Sequence, residues 1–322
     1  MSLLKKLTPI NLLEEKEKFF ADTSYNPQFI YEENIDETEL YKYGLPKKDI
    51  LEKAKRVVAA AYASGKTESD LVALDGPIIS QQKVTDMVQA FLRAHDLEDR
   101  FNISWSSSYI SRATITSDTI KLKTSSEFRH YDTIGMIYHE IGTHALRRIN
   151  YEQQPWYKNK KKYGLLADYL PTEEGLASIH SLLPKENKSA YSVALRYIAV
   201  DFAQHHSFSE LWDFLTPYID ELEKRWMICV RQKRGMTDTS KYGGFTKDIV
   251  YFSGMLEVID WLINNSNDLK YLYSGKICIK DVKKVKLLLE KSDEIVIKLP
   301  LFINDLKKYF ELIDQIRKEN NL

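Results

Sequence analysis

The chain has 322 residues, 43% of them hydrophobic and 29% charged, and its 46 basic and 46 acidic side chains give a formal net charge of zero. This composition is typical of a soluble globular protein, and the length predicts one large domain or two closely joined ones. A chain without an overall positive field is not expected to bind nucleic acid or an anionic membrane surface.

The cysteines and the N-terminal stretch indicate a reducing compartment. Cys229 and Cys278 are too few for a disulfide framework or a cysteine zinc cluster, so both are predicted to be buried thiols. The first twenty residues lack the apolar run of a signal peptide, and no stretch of about 20 apolar residues would span a membrane. We therefore predict a cytoplasmic protein. The oligomeric state is left open.

Helical periodicity dominates the first hundred residues. It predicts one helix within residues 46–65 and a second over 80–97, for which Ser80 is the expected N-cap. From Phe101 the sequence becomes rich in Thr, Ser and Ile with alternating polarity, which predicts two or three short strands joined by tight turns. We predict a helical N-terminal segment over 1–100 that packs on a catalytic domain over 101–322.

The rest of the chain is predicted to be mostly helical. Helices are expected over about 130–149, from 171 onward, and over 189–204, 208–232, 245–264 and 295–318. Helices, then a small sheet before the helix at 130–149, then a helical C-terminal half predict an α+β fold that is mostly α.

The stretch YHEIGTHALRR at 138–148 contains two histidines and a glutamate, His139, His144 and Glu140. In the familiar HExxH zinc helix the histidines are four residues apart, about 40° around the axis, whereas five residues give about 140°. A one-residue π-bulge would restore the smaller angle, and Gly142 would tolerate the distortion. The spacing therefore predicts either a helix that happens to carry histidines or a zinc site on a widened or broken helix.

A third zinc ligand is expected from PTEEGLASIH at 171–180, because a catalytic zinc takes three protein ligands. Glu173 and Glu174 are adjacent and point to different faces, so one of them at most is expected to face the metal, and the pattern leaves the choice open. The alternative is that both interact with the helix dipole, with Thr172 as the N-cap. His180 is interpreted as structural.

Three ordered motifs resemble a known family. HEIGTHALR at 139–147, EEGLA at 173–177 and KRGMTDTSKYGGFTKDIVYFSG at 233–254 are similar to segments of the microtubule-associated tyrosine carboxypeptidases and their bacterial QEGLA-motif relatives. The similarity runs from about residue 26 to the C-terminus. It implies a gluzincin-like zinc metallopeptidase fold that binds one Zn²⁺ ion.

The resemblance also implies roles for individual residues. His139, His144 and Glu174 would bind zinc, and Glu140 would be the general base. The QEGLA relatives have glutamine at the position of Glu173, which favours Glu174 as the ligand and leaves Glu173 to tune the site. Animal members of the family remove the C-terminal tyrosine of tubulin, so the implied substrate is a protein or peptide C-terminus.

An enzyme that acts at C-termini must bind a free carboxylate, which calls for Arg, Lys or Tyr side chains. Lys247 and Tyr251 are four residues apart and would share a face of a helix that begins near residue 245. We predict that both bind substrate, with Arg234 in support, and that Tyr251 also stabilises the oxyanion. The alternative is an exposed lysine and a packing tyrosine. Arg147 is predicted to anchor its helix in a buried ion pair.

The sequence thus predicts a zinc carboxypeptidase that releases tyrosine or another aromatic residue from a C-terminus. Zinc would activate a water molecule, and Glu140 would take its proton and pass it to the leaving amine. A zinc endopeptidase or amidase is one alternative. A non-catalytic binding module stabilised by metal is another, although the intact Glu140 argues against it.

Overall fold

The computed structural model describes residues 3–290 and 296–322. Before the sheet the α-helices are α1 (Leu3–Lys6), α2 (Leu12–Ala21), α3 (Glu37–Leu40), α4 (Lys48–Ala61), α5 (Glu68–Ala73) and α6 (Gln81–Ala94). The strands are β1 (Asn102–Ser106), β2 (Ala113–Ile115) and β3 (Thr119–Lys123). After them come α7 (His130–His139), a π-helical turn (Glu140–Ala145), α8 (Leu146–Glu152), α9 (Leu170–Leu182), α10 (Tyr191–Ala203), α11 (Phe208–Leu215), α12 (Leu222–Lys233), α13 (Ile249–Asn264), α14 (Leu269–Leu272), α15 (Val282–Leu289) and α16 (Leu306–Glu319).

Short 3₁₀ turns join several of these elements. They cover Ala63–Gly65, Lys160–Tyr163, Thr246–Asp248, Ser266–Asp268, Ile279–Asp281 and Leu301–Ile303. Helices predominate over the one small sheet, so the predicted α+β, mostly α class is confirmed. None of the described helices is long and apolar enough to cross a bilayer.

The two long N-terminal helices form where their apolar periodicity predicts. α4 buries Ala54, Val57 and Val58 on one face. α6 begins after Ser80, whose side chain accepts a hydrogen bond from the backbone N–H of Lys83, as expected of an N-cap. Both predictions are confirmed.

Two predicted helices were too long. The single helix expected over 208–232 is wrong, because Pro217 lies between α11 and α12, and proline has no N–H and obstructs the preceding turn. The tail predicted over 295–318 is helical only in α16, after Pro300 and a 3₁₀ turn. Residues 291–295, where that prediction begins, lie outside the described residues.

The chain forms two compact units. The first consists of Met1–Leu71 and Ala190–Phe252, and the second of Val72–Ser189 and Ser253–Leu322. The boundaries of these units do not fall at residue 100. The predicted division there, between an N-terminal segment and a catalytic domain, stays a prediction. Cys229 in the first unit and Cys278 in the second are buried free thiols, as predicted.

In the first unit, α4 packs against α10, and aromatic side chains fill the space around Phe19. The ring centroid of Phe19 lies 5.0 Å from those of Phe208 and Trp212 and 5.3 Å from that of Trp226. At such distances aromatic rings add attraction beyond their burial. These contacts join α2 to α11 and α12.

A buried lysine holds the loop that follows α12. The ammonium group of Lys233 donates hydrogen bonds to the carbonyl oxygens of Ala203, His206, Lys241 and Gly243, at distances between 2.5 and 3.1 Å. Because an ammonium group has three protons, four acceptors at this range leave none of them without a partner. The loop at 241–243 is thereby attached to the end of α10.

In the second unit the sheet has the order β1-β3-β2. β1 runs parallel to β3, with Asn102 beside Thr119, and β2 runs antiparallel to β3, with Ala113 beside Leu122. α7 packs against α6 and α9, and β2 lies against the π-helical turn. The prediction of two or three strands before this helix is confirmed.

Two glycines allow α9 and α13 to cross closely. A Cβ atom added at Gly175 would overlap the backbone of Gly254, and one added at Gly254 would overlap the carbonyl of Pro171. The two glycines belong to the motifs at 173–177 and 233–254. Their contact fixes the position of α9, which carries Glu173 and Glu174.

Gly175→Ala is expected to lower the free energy of unfolding by about 1–3 kcal/mol, because the added methyl group meets backbone that has to move. The higher helix propensity of alanine offsets at most about 1 kcal/mol of this loss. The urea midpoint measures the effect. Lys53→Ala, at an exposed position in α4, is the control, since it changes helix propensity without adding a group against backbone. An unchanged midpoint in Gly175→Ala would contradict the close crossing.

Candidate metal centre

The helix that carries the two histidines widens between them, as the spacing predicts. α7 ends at His139, and the next six residues form the π-helical turn before α8 continues. Because a π turn takes in one extra residue, His139 and His144 return to the same side. Their ring centroids are 4.8 Å apart and their planes differ by 76°. An added Cβ at Gly142 would lie 2.7 Å from Cε1 of Phe302, so glycine lets this ring approach the turn.

Glu174 brings a carboxylate oxygen to both imidazoles. Its Oε2 lies 3.9 Å from Nε2 of His139 and 3.6 Å from Nε2 of His144. One ligand atom from each of the three side chains lies within 4.8 Å of the others. Zinc bonds of about 2.0–2.2 Å in tetrahedral geometry place ligand atoms about 3.4 Å apart. The residues therefore fit a zinc ion after a small contraction.

Glu173 points away from this group and binds the other nitrogen of His144. Its Oε1 lies 2.9 Å from Nδ1 of His144, and its carboxylate also pairs with Arg147 and Lys276. Burial raises the pKa of Glu173, but the two cations and His144 hold it well below its usual range. Burial lowers the pKa of His144, but its contacts with Glu173 and Glu174 raise it to about 9, so without a metal ion both ring nitrogens carry protons. Glu173 would keep the proton on Nδ1 when a metal ion replaces the one on Nε2.

The adjacent glutamates thus have different neighbours, as expected of consecutive helical residues. The predicted buried ion pair of Arg147 is confirmed, and its guanidinium also donates to the carbonyls of Leu272 and Ile277. The alternative in which Thr172 is the N-cap is wrong. α9 already begins at Leu170, and the hydroxyl of Thr172 accepts the backbone N–H of Ile279 at 3.1 Å.

Glu140 follows His139 directly and begins the π turn. Burial raises the pKa of Glu140 to about 7, with His144 lowering it and Glu174 raising it. A carboxyl group that titrates near neutral pH can both accept and donate a proton there.

Sequence reasoning missed several neighbours of the site. Lys276 lies 103 residues after Glu173, and nothing in its surroundings in the sequence marks it. The hydroxyl of Tyr273 donates to the carbonyl of Gly142 at 2.9 Å, inside the π turn. Tyr273 is one of twenty tyrosines, and no pattern distinguishes it.

The predicted substrate-binding residues belong to the first unit. Lys247 lies in the 3₁₀ turn before α13, so the helix expected from residue 245 begins later, and Tyr251 lies in the first turn of α13. The guanidinium carbons of Arg196 and Arg231 lie 4.9 and 5.7 Å from the ring centroid of Tyr251. Nε of Arg231 donates to Asp248 at 2.5 Å.

Arg234 lies close to this cationic group. Its guanidinium carbon is 4.9 Å from the ring centroid of Phe245, and its buried Nε has no hydrogen-bond partner among the described residues. Burial, with help from the neighbouring Arg231, lowers the pKa of Arg234 to about 10. Arg196, Arg231 and Arg234, with the carboxylate of Asp248, thus give this part of the first unit an excess of positive charge.

Together these features define an α+β protein with a candidate His–His–Glu metal centre on a π-widened helix. The family model described as "Microtubule-associated tyrosine carboxypeptidase" matches residues 30–319, and the chain belongs to that family. Microtubule-associated tyrosine carboxypeptidase 1 of Rattus norvegicus is 32% identical, over 99% of this chain and 69% of the relative. The protein of the same name from Homo sapiens is 31% identical, over 99% of this chain and 68% of the relative. The resemblance read from the three motifs is confirmed.

Proposed function

We propose that this protein is a zinc-dependent, gluzincin-like metallocarboxypeptidase that removes tyrosine or another aromatic residue from the C-terminus of a protein or peptide. The observation that carries this proposal is the convergence of His139, His144 and Glu174 beside Glu140. The names of the relatives support the reaction, since they are called tyrosine carboxypeptidases. A cytoplasmic location and a protein substrate are part of the proposal.

Nε2 of His139, Nε2 of His144 and a carboxylate oxygen of Glu174 would bind one Zn²⁺ ion. When bound, zinc polarises a carbonyl group and lowers the pKa of a water molecule to about 7. Glu173 orients His144 through Nδ1, so that Nε2 presents its lone pair. Arg147 and Lys276 keep Glu173 ionised and in place.

Glu140 moves the proton in this scheme. Its carboxylate accepts a proton from the attacking water and later donates the same proton to the departing amine, so the side chain ends the cycle as it began. The position of Glu140, directly after His139 at the start of the π turn, supports this role. Tyr251 is proposed to donate a hydrogen bond to the oxyanion of the substrate.

Lys247, Tyr251 and Arg234 are proposed to bind the terminal carboxylate of the substrate. The excess of positive charge around Tyr251 supports this assignment, because carboxylates are bound most strongly by charge-assisted hydrogen bonds. The buried Nε of Arg234 supports it further: it has no hydrogen-bond partner in the part of the chain that the structure describes, and a carboxylate could satisfy this donor.

Peptides that end in a free carboxylate should be cleaved, and the same peptides with an amidated C-terminus should not. The expected preference is about 10–100-fold or more, since hydrogen bonds to a charged group contribute about 1.5–3 kcal/mol. Released amino acid, measured by mass spectrometry across peptides with different terminal residues, also gives the preferred residue.

The outcome of this experiment separates the alternatives. Equal turnover of free and amidated peptides would favour an endopeptidase or amidase, and zinc binding without turnover would favour a non-catalytic module. Lys247→Met should reduce the preference for the free carboxylate by raising KM. Lys55→Met, at an exposed position in α4, is the matched control.

A further inference from the structure

A chain of buried hydrogen bonds connects α16 and α9 to the π turn. The hydroxyl of Tyr309 lies 2.9 Å from Nε2 of His180, and Nδ1 of His180 lies 2.7 Å from Oγ1 of Thr143. Oγ1 of Thr143 in turn lies 2.9 Å from the carbonyl oxygen of Tyr138. The side chains of Tyr309, His180 and Thr143 are fully buried.

One arrangement of protons satisfies all of these hydrogen bonds together. The hydroxyl of Tyr273 lies 3.4 Å from Nδ1 of His180, but it donates its proton to the carbonyl of Gly142 and can only accept from Nδ1. The carbonyl of Tyr138 can only accept, so the hydroxyl of Thr143 donates its single proton to it. Oγ1 of Thr143 then accepts from Nδ1–H of His180, and Nε2 of His180 accepts from the hydroxyl of Tyr309. Burial holds the pKa of His180 well below its usual range, which keeps the ring neutral. Every donor and acceptor in the chain is satisfied.

This series of hydrogen bonds ends at the π turn, the segment that departs from α-helical geometry. π turns are rare, and a regular α-helix is the ordinary alternative for this sequence. A return to α-helical geometry would rotate His144 by about 100° relative to His139. The bond from Thr143 to Tyr138 spans five residues, which is the spacing of a π turn, and the bond from Tyr273 to Gly142 satisfies a second carbonyl there.

We propose that His180 is a positioning residue which, as the Nδ1–H tautomer, holds Thr143 on the carbonyl of Tyr138 and thereby maintains the π turn that aligns His139 and His144. The geometric part of this inference stands on the hydrogen bonds alone. Its consequence for metal binding rests on the proposed function. His180 is interpreted in the sequence only as a structural histidine, and the structure gives it this specific task.

Two measurements test this role of His180 in the metal-free protein, without an activity assay. Nuclear magnetic resonance of the ring carbons and nitrogens of His180 in the metal-free protein should show the Nδ1–H tautomer. Hydrogen exchange of the amides at 140–146 should become at least about tenfold faster in Thr143→Val, since the lost hydrogen bond leaves a buried donor unsatisfied. Thr143→Ser keeps the hydroxyl and should exchange like the parent protein.

Thr133→Val is the matched control. Thr133 lies in α7, is as fully buried as Thr143, and its hydroxyl has no hydrogen-bond partner among the described residues. Replacing its hydroxyl with a methyl group should leave exchange at 140–146 unchanged. The control separates loss of this hydrogen bond from the general effect of a Thr→Val change in the core.

Metal binding gives a third readout. Thr143→Val should bind Zn²⁺ about 10–100-fold more weakly, as expected when a residue that orients ligands is lost. It should also alter the visible spectrum of the Co²⁺-loaded protein, and Thr143→Ser should restore both properties. If the parent protein binds no Zn²⁺, the proposed function fails, while the tautomer and the exchange rates still decide whether His180 holds the turn.

The proposal is overturned by an Nε2–H tautomer or a doubly protonated ring at His180. It is also overturned by exchange rates in Thr143→Val that match those in Thr133→Val. If Thr143→Val fails to fold, the tautomer in the parent protein still decides the question, and Tyr309→Phe provides a milder variant. That variant removes one donor and should loosen the same amides, whereas Tyr62→Phe, which removes a hydroxyl donor in the first unit, should not.

Discussion

Glu140→Gln is expected to retain zinc and to slow peptide hydrolysis by about 10²–10⁴-fold, the usual contribution of a general acid–base group. Glutamine has nearly the same shape as glutamate but cannot take a proton from water. The three proposed ligands are unchanged, so the metal content should stay the same. Metal analysis and the rate of release of the terminal residue measure the two quantities on one sample.

The control for this variant is Glu17→Gln, which alters an exposed glutamate in α2. It should have the parental rate and metal content. An unchanged rate in Glu140→Gln would reject Glu140 as the base. Loss of zinc together with activity would instead mean that Glu140 is a ligand, contrary to the arrangement in which Glu174 faces both imidazoles.

Glu173 and Glu174 are adjacent, but replacing each of them should produce a different defect. Glu174→Gln removes a proposed ligand, so zinc affinity should fall more than the roughly 10–100-fold expected for a residue that only orients a ligand. Glu173→Gln should weaken zinc binding within that smaller range. It should also destabilise the fold by about 3–5 kcal/mol, because Arg147 and Lys276 lose the buried carboxylate that they share.

Competition with a chelator measures the zinc affinities, and urea unfolding measures the stability of the metal-free proteins. Glu174→Gln should have the lower zinc affinity, and Glu173→Gln should have the lower free energy of unfolding. If Glu173→Gln instead has the lower zinc affinity, Glu173 is the ligand. Full activity of the parent protein after exhaustive chelation would remove the metal from the mechanism altogether.

Local features of the fold were readable from the sequence because local interactions determine them. The cap at Ser80 and the apolar face of α4 need only neighbouring residues. The π turn follows from the five-residue spacing of His139 and His144 once both are required to reach one ion. Pro217 was also a local signal, but the apolar periodicity that resumes after it suggested one continuous helix.

The features that were not predictable depend on contacts between distant parts of the chain. Glu173 and Glu174 could not be assigned to their faces, because the rotation of α9 is set by the contact of Gly175 with Gly254. Lys276 reaches Glu173 from 103 residues away. The tautomer of His180 depends on a tyrosine 129 positions later. Such pairs leave no periodic trace in the sequence.

The ammonium group of Lys233 occupies a ring of backbone oxygens of the kind that replaces the hydration shell of potassium in ion-selective pores. Here the nitrogen is tethered by a covalent stem and cannot diffuse away; burial lowers the pKa of Lys233 to about 8, so only deprotonation removes the charge. The loop that it holds should therefore keep its shape through dialysis and changes of monovalent salt, conditions that would empty a site filled by a free ion.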